Sequence, residues 1–279
     1  MSELVLSAID KVSTIDSKEF IDSYYKPLHP LIIKDLASTW PALKKWTPEF
    51  FKQQYGEKQV KVYNDSFVKA GEHYMSGIKT MPLCEYIEQV LTTTQDLRMF
   101  LYNIKSEIPD IINDIIFPEI VKGFSKNFVF MFFGCKESVT QMHFDIDMSH
   151  VFHTALYGKK TITIFPYKQG KNLHRYPFTS RSYVDIHNPD YDRFPGLKQA
   201  KGYQAVLEKG ETLFIPSGYW HHVVYDEPAF AVSLRCSNST LMGKLHGYYN
   251  LFVMQMIDRL MNRVAGEVWF EWKENKALG

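Results

Sequence analysis

Short apolar runs separated by turn signals dominate the middle of the chain. Phe128 to Phe133, Val139 to Phe144, Val151 to Leu156, Thr161 to Phe165, Tyr203 to Leu207, Thr212 to Ile215, His221 to Tyr225 and Ala229 to Cys236 all have strand length. Tyr157-Gly158-Lys159, Lys209-Gly210-Glu211 and Pro216-Ser217-Gly218 supply turns between them. Strands this short and this regularly spaced predict a closed or double-sheet all-β unit, and a jelly roll or cupin fits the length. Lys168 to Gly202, rich in Tyr, Asn, Asp and Pro, reads as a long insertion between two of the strands.

Before this unit the pattern mixes helix and strand. Asp16-Ser17-Lys18-Glu19 ahead of Phe20 is an N-cap with its acid three residues on, and Thr47-Pro48-Glu49 is a second helix start that Gly56 stops. Pro30 to Ile33 suits a strand, and Gln59 to Tyr63 alternates with period two. After Ser237 the spacing turns helical. Leu245, Tyr248, Phe252, Met256 and Leu260 form one stripe, and Leu251, Met254, Ile257, Met261 and Val264 form another. The expected fold is therefore mainly β with α: a double-stranded β-helix (jelly roll, cupin) over residues 126–237 with an insertion at about 168–202. A mixed α/β extension over residues 1–125 packs on it, and a helical segment over residues 238–279 follows. That segment, apolar on two faces, needs two partners, which predicts a homodimer.

Composition adds mainly exclusions. The 279 residues are 45% hydrophobic and 23% charged, in the globular range. A net charge of +1 gives no global case for nucleic acid or a membrane surface. Cys84, Cys135 and Cys236 have neither disulfide arithmetic nor zinc-ribbon spacing and suit a reducing compartment. The N-terminal run MSELVLSAIDKVST reads as neither signal peptide nor anchor, and no long apolar run occurs, so a cytoplasmic protein with no membrane association is expected.

Chemistry concentrates in the β unit. His143-Phe144-Asp145 ends a predicted strand, where residues two apart share a face. With 10 histidines in the chain, one His-x-Asp occurs by chance about as often as not. The second feature raises its weight: a turn feeds Trp220-His221-His222 into a later strand, and a jelly roll can bring His221 to the first pair. Two histidines and a carboxylate on one face of an ion leave positions open, the arrangement of non-haem Fe(II) oxygenases. Such enzymes need an electron source, and 2-oxoglutarate requires a buried cation for its far carboxylate. Lys160, after Gly158-Lys159, and the hydroxyl of Thr140 are the candidates. Asp147, His150 and His153 are read as tuning the pocket or making structural hydrogen bonds. His222, on the opposite strand face from His221, is read as structural, and Tyr219 and Trp220 as barrel-end packing.

The order VTQMHFD, LYGKKTITIFPY, NPDYDRFPG and GYQAVLEKGETLFIPSGYWHHVVY resembles the JmjC-type, cupin-fold Fe(II)/2-oxoglutarate oxygenases. Within them it is similar to the small hydroxylases typified by the asparaginyl hydroxylase that inhibits hypoxia-inducible factor and by the tRNA wybutosine hydroxylase. HPLIIKDLASTWPALKKWTPEFF extends the likeness, which covers about residues 25 to 236. The resemblance implies that His143, Asp145 and His221 bind iron, with Lys160 and Thr140 at the cosubstrate's distal carboxylate. Two positions depart from it. A cosubstrate-binding tyrosine of the asparaginyl enzyme falls at Phe100, so that Tyr102, two residues on, either replaces it or the contact is absent. Arg235 stands where the family often has Asn, and either reaches a carboxylate of cosubstrate or substrate or forms a salt bridge at the barrel mouth. Asp145 to Gly158 is also two residues longer than in the asparaginyl enzyme.

The expected function is thus an Fe(II)- and 2-oxoglutarate-dependent dioxygenase that uses O2 to hydroxylate an unactivated carbon, first of all on a protein or peptide side chain. Alternatives are a tRNA-nucleoside hydroxylase, for which Lys168, Lys171, Arg175 and Arg181 offer a basic stripe, a small-molecule hydroxylase, and a catalytically silent metal-binding cupin. Demethylation ranks lower.

Overall fold

The computed structural model describes residues 4–69 and 73–279. The expectation for the N-terminal run therefore falls partly outside the described residues. In chain order the strands are β1 (Val5–Ala8), β2 (Asp10–Val12), β3 (Leu31–Ile33), β4 (Gln59–Val62), β5 (Lys79–Pro82), β6 (Arg98–Asn103) and β7 (Phe124–Gly134). There follow β8 (Val139–His143), β9 (His150–Tyr157), β10 (Lys160–Phe165), β11 (Lys201–Leu207), β12 (Thr212–Ile215), β13 (Trp220–Tyr225) and β14 (Ala229–Cys236). The runs read from Phe128 to Cys236 correspond to β7–β14. Except for the neighbours β10 and β11, they alternate between two sheets, one ordered β1-β11-β10-β13-β8 and the other β2-β3-β12-β9-β14-β7-β6. The fold is mainly β with α, a cupin-type double-stranded β-helix.

Two apolar layers follow from the period-two alternation of these strands. Ile162, Ile164 and Val223 of one sheet meet Val151, Ala155 and Leu213 of the other and fill the barrel interior. The outer face of the larger sheet, with Val129, Met131, Phe133, Phe152 and Phe214, joins a core built from the N-terminal elements. There Phe51 sets its ring edge-on to Phe133 at 5.5 Å and to Phe230 at 5.7 Å. Phe51 is delivered by the helix Pro48–Tyr55, whose N-cap Thr47 accepts the Phe50 N–H. Asp16 caps the earlier helix by accepting from Lys18 and Glu19. β1, β2 and β3 pair directly into the two sheets, β1 in parallel with β11 and β2 in parallel with β3. The first residues of the chain therefore extend the barrel's own sheets.

The insertion closes one barrel end. Leu173, Val184, Ile186, Phe194 and Leu197 pack on Met142, Phe144, Phe165 and Trp220. Trp220 is fully buried and its indole N–H donates to the Tyr167 carbonyl, the packing role expected of it.

The C-terminal segment departs from a single two-faced helix. A helix over Leu241–Tyr249 passes through a π-turn at Asn250–Met254 into Gln255–Leu278, which breaks at Gly266 (φ 47°, ψ −116°). Lys273 meets Asp258 at 2.6 Å although fifteen positions of straight helix would separate them by about 22 Å. The chain thus reverses at Gly266, a backbone conformation that glycine adopts without strain. The Trp269 indole and the Tyr74 hydroxyl complete the bonds to Asp258 and tie the hairpin to the body.

Candidate active site

Pairing register explains how residues far apart in sequence come to one face. Directly opposed residues of antiparallel strands share a face. His221 opposes His143 on β8 and Ile164 on β10, Val223 opposes Thr140 and Ile162, and Tyr225 opposes Lys160. Thr140 and His143 are three apart and would alternate faces on a regular strand. A bulge in β8, facing the step from His221 to Val223, turns both inward. His143 and His221 therefore lie at one end of a file of inward residues, Thr140 lies between, and Lys160 lies at the other end. The tight turn that starts β10 depends on Gly158 (φ 63°), where a Cβ would come within 2.1 Å of the Pro228 carbonyl oxygen.

The metal-ligating atoms of His143, Asp145 and His221 lie within 4.8 Å of one another. Each imidazole is oriented by a carbonyl two residues earlier: His143 Nδ1 to the Gln141 oxygen at 2.8 Å and His221 Nδ1 to the Tyr219 oxygen at 3.1 Å. A carbonyl only accepts, so Nδ1 carries the proton in both rings and Nε2 keeps the lone pair a metal needs. Burial, the His221 ring and Arg181 hold His143 well below the usual imidazole range. Burial also lowers His221, opposed by Asp145. For Asp145 burial alone pushes the carboxyl up, but Arg235 and the two imidazoles outweigh it and keep it ionised well below the usual carboxylate range. The donor set is thus two neutral imidazoles and a carboxylate, which suits Fe(II).

Lys160 is 1% exposed and its Nζ has no hydrogen-bond partner among the described residues; it stands 4.4 Å from the centroid of the Tyr225 ring. Burial pushes its ammonium down to about 7. An isolated buried ammonium is costly, and an anion in the barrel would offset that cost.

Two expected cosubstrate contacts are placed differently. Tyr102 opposes Met131 and turns with it into the outer core. The alternate residues of β7, Phe130 and Phe132, face the interior, against Arg235 and His153 respectively. The reason is a second bulge, between Met99 and Tyr102, with Leu101 at φ 54°. It breaks the alternation that would have put Phe100 and Tyr102 on one face, so Tyr102 does not replace the missing tyrosine. Phe100 itself packs on Tyr63 and Phe67. Arg235, of its two open roles, has the salt bridge: it reaches Asp145 at 2.8 Å, Asp147 at 3.0 Å and the Ser149 hydroxyl at 2.9 Å. It holds the metal-site carboxylate rather than a cosubstrate.

The remaining polar groups are held within the fold, although His153 Nε2 and His222 Nδ1 have no hydrogen-bond partner among the described residues. His150 accepts the Ser217 N–H and stacks on Phe214. His222 is buried near His187, and burial pushes it down to about 3. His153 bonds Ser233 at 2.7 Å. Arg181, which forms a backbone bridge with His143 and covers the Phe67 ring, stands apart from Lys168, Lys171 and Arg175. Those three line a surface cavity of about 350 Å³ with Lys276. The group Tyr63, Phe67, Phe100 and Arg181 beside the metal ligands was not read as a unit from sequence; only the period-two pattern around Tyr63 pointed that way.

Two histidines and an aspartate that could hold a metal ion lie inside a double-stranded β-helix, with a buried cation further along the same interior face, the arrangement of a cupin with a candidate metal site. Residues 17–249 match the model of the cupin-like domain, and the chain belongs to that family. It is 27% identical over 241 residues to lysine-specific demethylase 8 of Xenopus tropicalis, across 81% of this chain and 52% of that protein. It is 22% identical over 245 residues to tRNA wybutosine-synthesizing protein 5 of Gallus gallus, across 81% and 75%. It is 27% identical over 244 residues to JmjC domain-containing protein D of Dictyostelium discoideum, across 77% and 53%. The chain spans about half the length of the first and third of these relatives. The JmjC-type cupin read from the motifs is borne out, and the family supports an oxygenase of the 2-oxoglutarate type.

Proposed function

We propose that the protein is an Fe(II)- and 2-oxoglutarate-dependent dioxygenase that hydroxylates an unactivated carbon, on a protein side chain. The observation that carries this reading is Lys160: a buried, unpartnered ammonium on the same inward face as His143 and His221, with Thr140 between them. His143, Asp145 and His221 would hold the iron, and Lys160 with Thr140 the distal carboxylate of 2-oxoglutarate. Bound there, iron and 2-oxoglutarate supply the oxidising power that inserts one atom of O2 into a C–H bond. The chain's contribution is positional. Carbonyl-bound imidazoles fix the ligand geometry, Arg235 keeps Asp145 ionised, and the apolar interior excludes water.

A polypeptide substrate is favoured by the aromatic group Tyr63, Phe67 and Phe100 flanking the strand of His143, with Arg181 over Phe67. A tRNA substrate is the second reading, favoured by the cavity that Lys168, Lys171, Arg175 and Lys276 line. The C-terminal hairpin leaves Leu245, Tyr248, Phe252, Met256 and Leu260 exposed, which supports a homodimer as the working assembly.

A screen of peptide and tRNA pools coupled to succinate release, followed by mass spectrometry for a gain of one oxygen atom, tests the function. Substrate-stimulated succinate release that disappears in Asp145→Ala is the expected result. Undiminished turnover in that variant would overturn the assignment.

A further inference from the structure

Lys160 and Thr140 leave unexplained a second buried group on the interior of the barrel. His153 opposes Ser233 on β14 and Leu213 on β12, and Leu213 belongs to the interior layer with Ile162, Ile164 and Val223. Its ring is 9% exposed and set edge-on to Phe132. Nδ1 is bonded to the Ser233 hydroxyl at 2.7 Å, while Nε2 is buried with no partner. Burial above all, and then Lys160 and His221, hold the ring well below the usual imidazole range.

Ser233 and Nδ1 can share their bond in two ways. If Nδ1 donates to Ser233, Nε2 is a buried bare acceptor; if the hydroxyl donates to Nδ1, the ring proton sits on Nε2 as a buried donor, the arrangement an incoming carboxylate would satisfy. Burial and the nearby ammonium both keep the ring neutral. In the second arrangement two donors in one interior, Lys160 Nζ and His153 Nε2–H, each lack an acceptor.

We propose that His153 donates its Nε2–H to the carboxylate that Lys160 binds, so that the distal end of the cosubstrate is held by a cation and a neutral imidazole together. This rests on the cosubstrate reading above. An acceptor-only carboxylate satisfies both groups, whereas a carboxamide turns donor hydrogens on one of them. The pocket therefore discriminates 2-oxoglutarate from its distal amide, and Ser233 acts as a positioning residue by fixing the tautomer.

Calorimetric titration of 2-oxoglutarate into the Mn(II)-loaded protein without O2 tests this. His153→Phe should weaken 2-oxoglutarate by roughly ten- to hundredfold, the scale of a hydrogen bond to a charged group, with Mn(II) affinity unchanged. His153→Gln, which keeps an N–H donor, should recover part of the loss. In the parent, ¹⁵N spectra should show His153 protonated at Nε2, with that resonance moving when 2-oxoglutarate is added. His153→Phe binding as tightly as the parent, while Lys160→Met does not, would overturn the role of His153 and leave the cosubstrate reading intact. A parent that binds Mn(II) but not 2-oxoglutarate would overturn both.

Discussion

Arg235 and Asp145 form a 2.8 Å ion pair inside the metal-ligand set, and the same guanidinium reaches Asp147 at 3.0 Å. Asp145 gives one oxygen to Arg235, which leaves the other for the metal proposed above. A cation beside a metal-binding carboxylate lowers metal affinity through repulsion, but it also keeps the carboxylate ionised and oriented before the metal arrives. Asp147 completes the clamp by accepting from the Ser149 hydroxyl at 2.9 Å.

Removing Arg235 should therefore cost stability in a way a metal can reverse. Arg235→Met leaves Asp145 and Asp147 without their countercharge, a loss of about 3 kcal/mol by analogy with broken buried pairs. Mn(II) supplies a replacement cation at Asp145, so urea denaturation with saturating Mn(II) should show a smaller loss than without it. An equal loss in both conditions would mean that the pair does not bear on the metal site.

Lys160 predicts a pH dependence of cosubstrate binding. Its free-state pKa is lowered to about 7, and a bound carboxylate stabilises the charged form and raises it. Above neutrality the complex then binds more protons than the free protein, so affinity is fully present at lower pH and falls as pH rises, by up to about tenfold per unit. Titrations of 2-oxoglutarate into the Mn(II)-loaded protein across the neutral to alkaline range measure that slope. Lys160→Met should bind weakly at every pH and without the slope.

The same residues show how far the site was legible in sequence. The structure brings His143, Asp145, His221 and Lys160 to one interior, and the glycines of the turns were legible: Gly158, Gly210 and Gly218 all have positive φ. What escaped were phase changes within strands. A bulge in β8 puts Thr140 on the face of His143, as the family pattern implied but alternation alone would deny. A bulge in β6 turns Tyr102 away, against the expectation that it follows Phe100. Bulges add one residue on one strand, and no residue type marks them reliably. Likewise the reversal at Gly266 was hidden because apolar spacing stays helical on both sides of it.

Gly247 predicts a link between the C-terminal helices and the metal loop. A Cβ there would lie 2.4 Å from the Asp147 carbonyl oxygen, and Asn250 donates to the Ile146 carbonyl at 3.1 Å. The helix thus rests against the backbone just after Asp145. Gly247→Ala forces that backbone to shift, at about 1–3 kcal/mol for overpacking. Thermal unfolding should show the loss, and Mn(II) titration should show weaker binding. Gly243→Ala, whose Cβ would meet the Asn238 side chain rather than the Asp147 backbone, should lower stability with a smaller effect on Mn(II) affinity.

The exposed stripe predicts the assembly. Phe252 is 67% exposed, Met256 61% and Leu260 58%, on a helical surface otherwise anchored by the buried Met254 and Asp258. In the proposed homodimer a second copy would cover the stripe by two-fold pairing, in which each residue on one chain meets its symmetry-related patch on the other. A substitution on the stripe is therefore introduced twice per interface. Phe252→Glu with Leu260→Glu should convert a dimer of 32.6 kDa chains to monomer in sedimentation at micromolar concentration, with the helical content unchanged because both positions face solvent within one chain. A parent protein that sediments as a monomer under those conditions would overturn the dimer and leave the stripe to another partner.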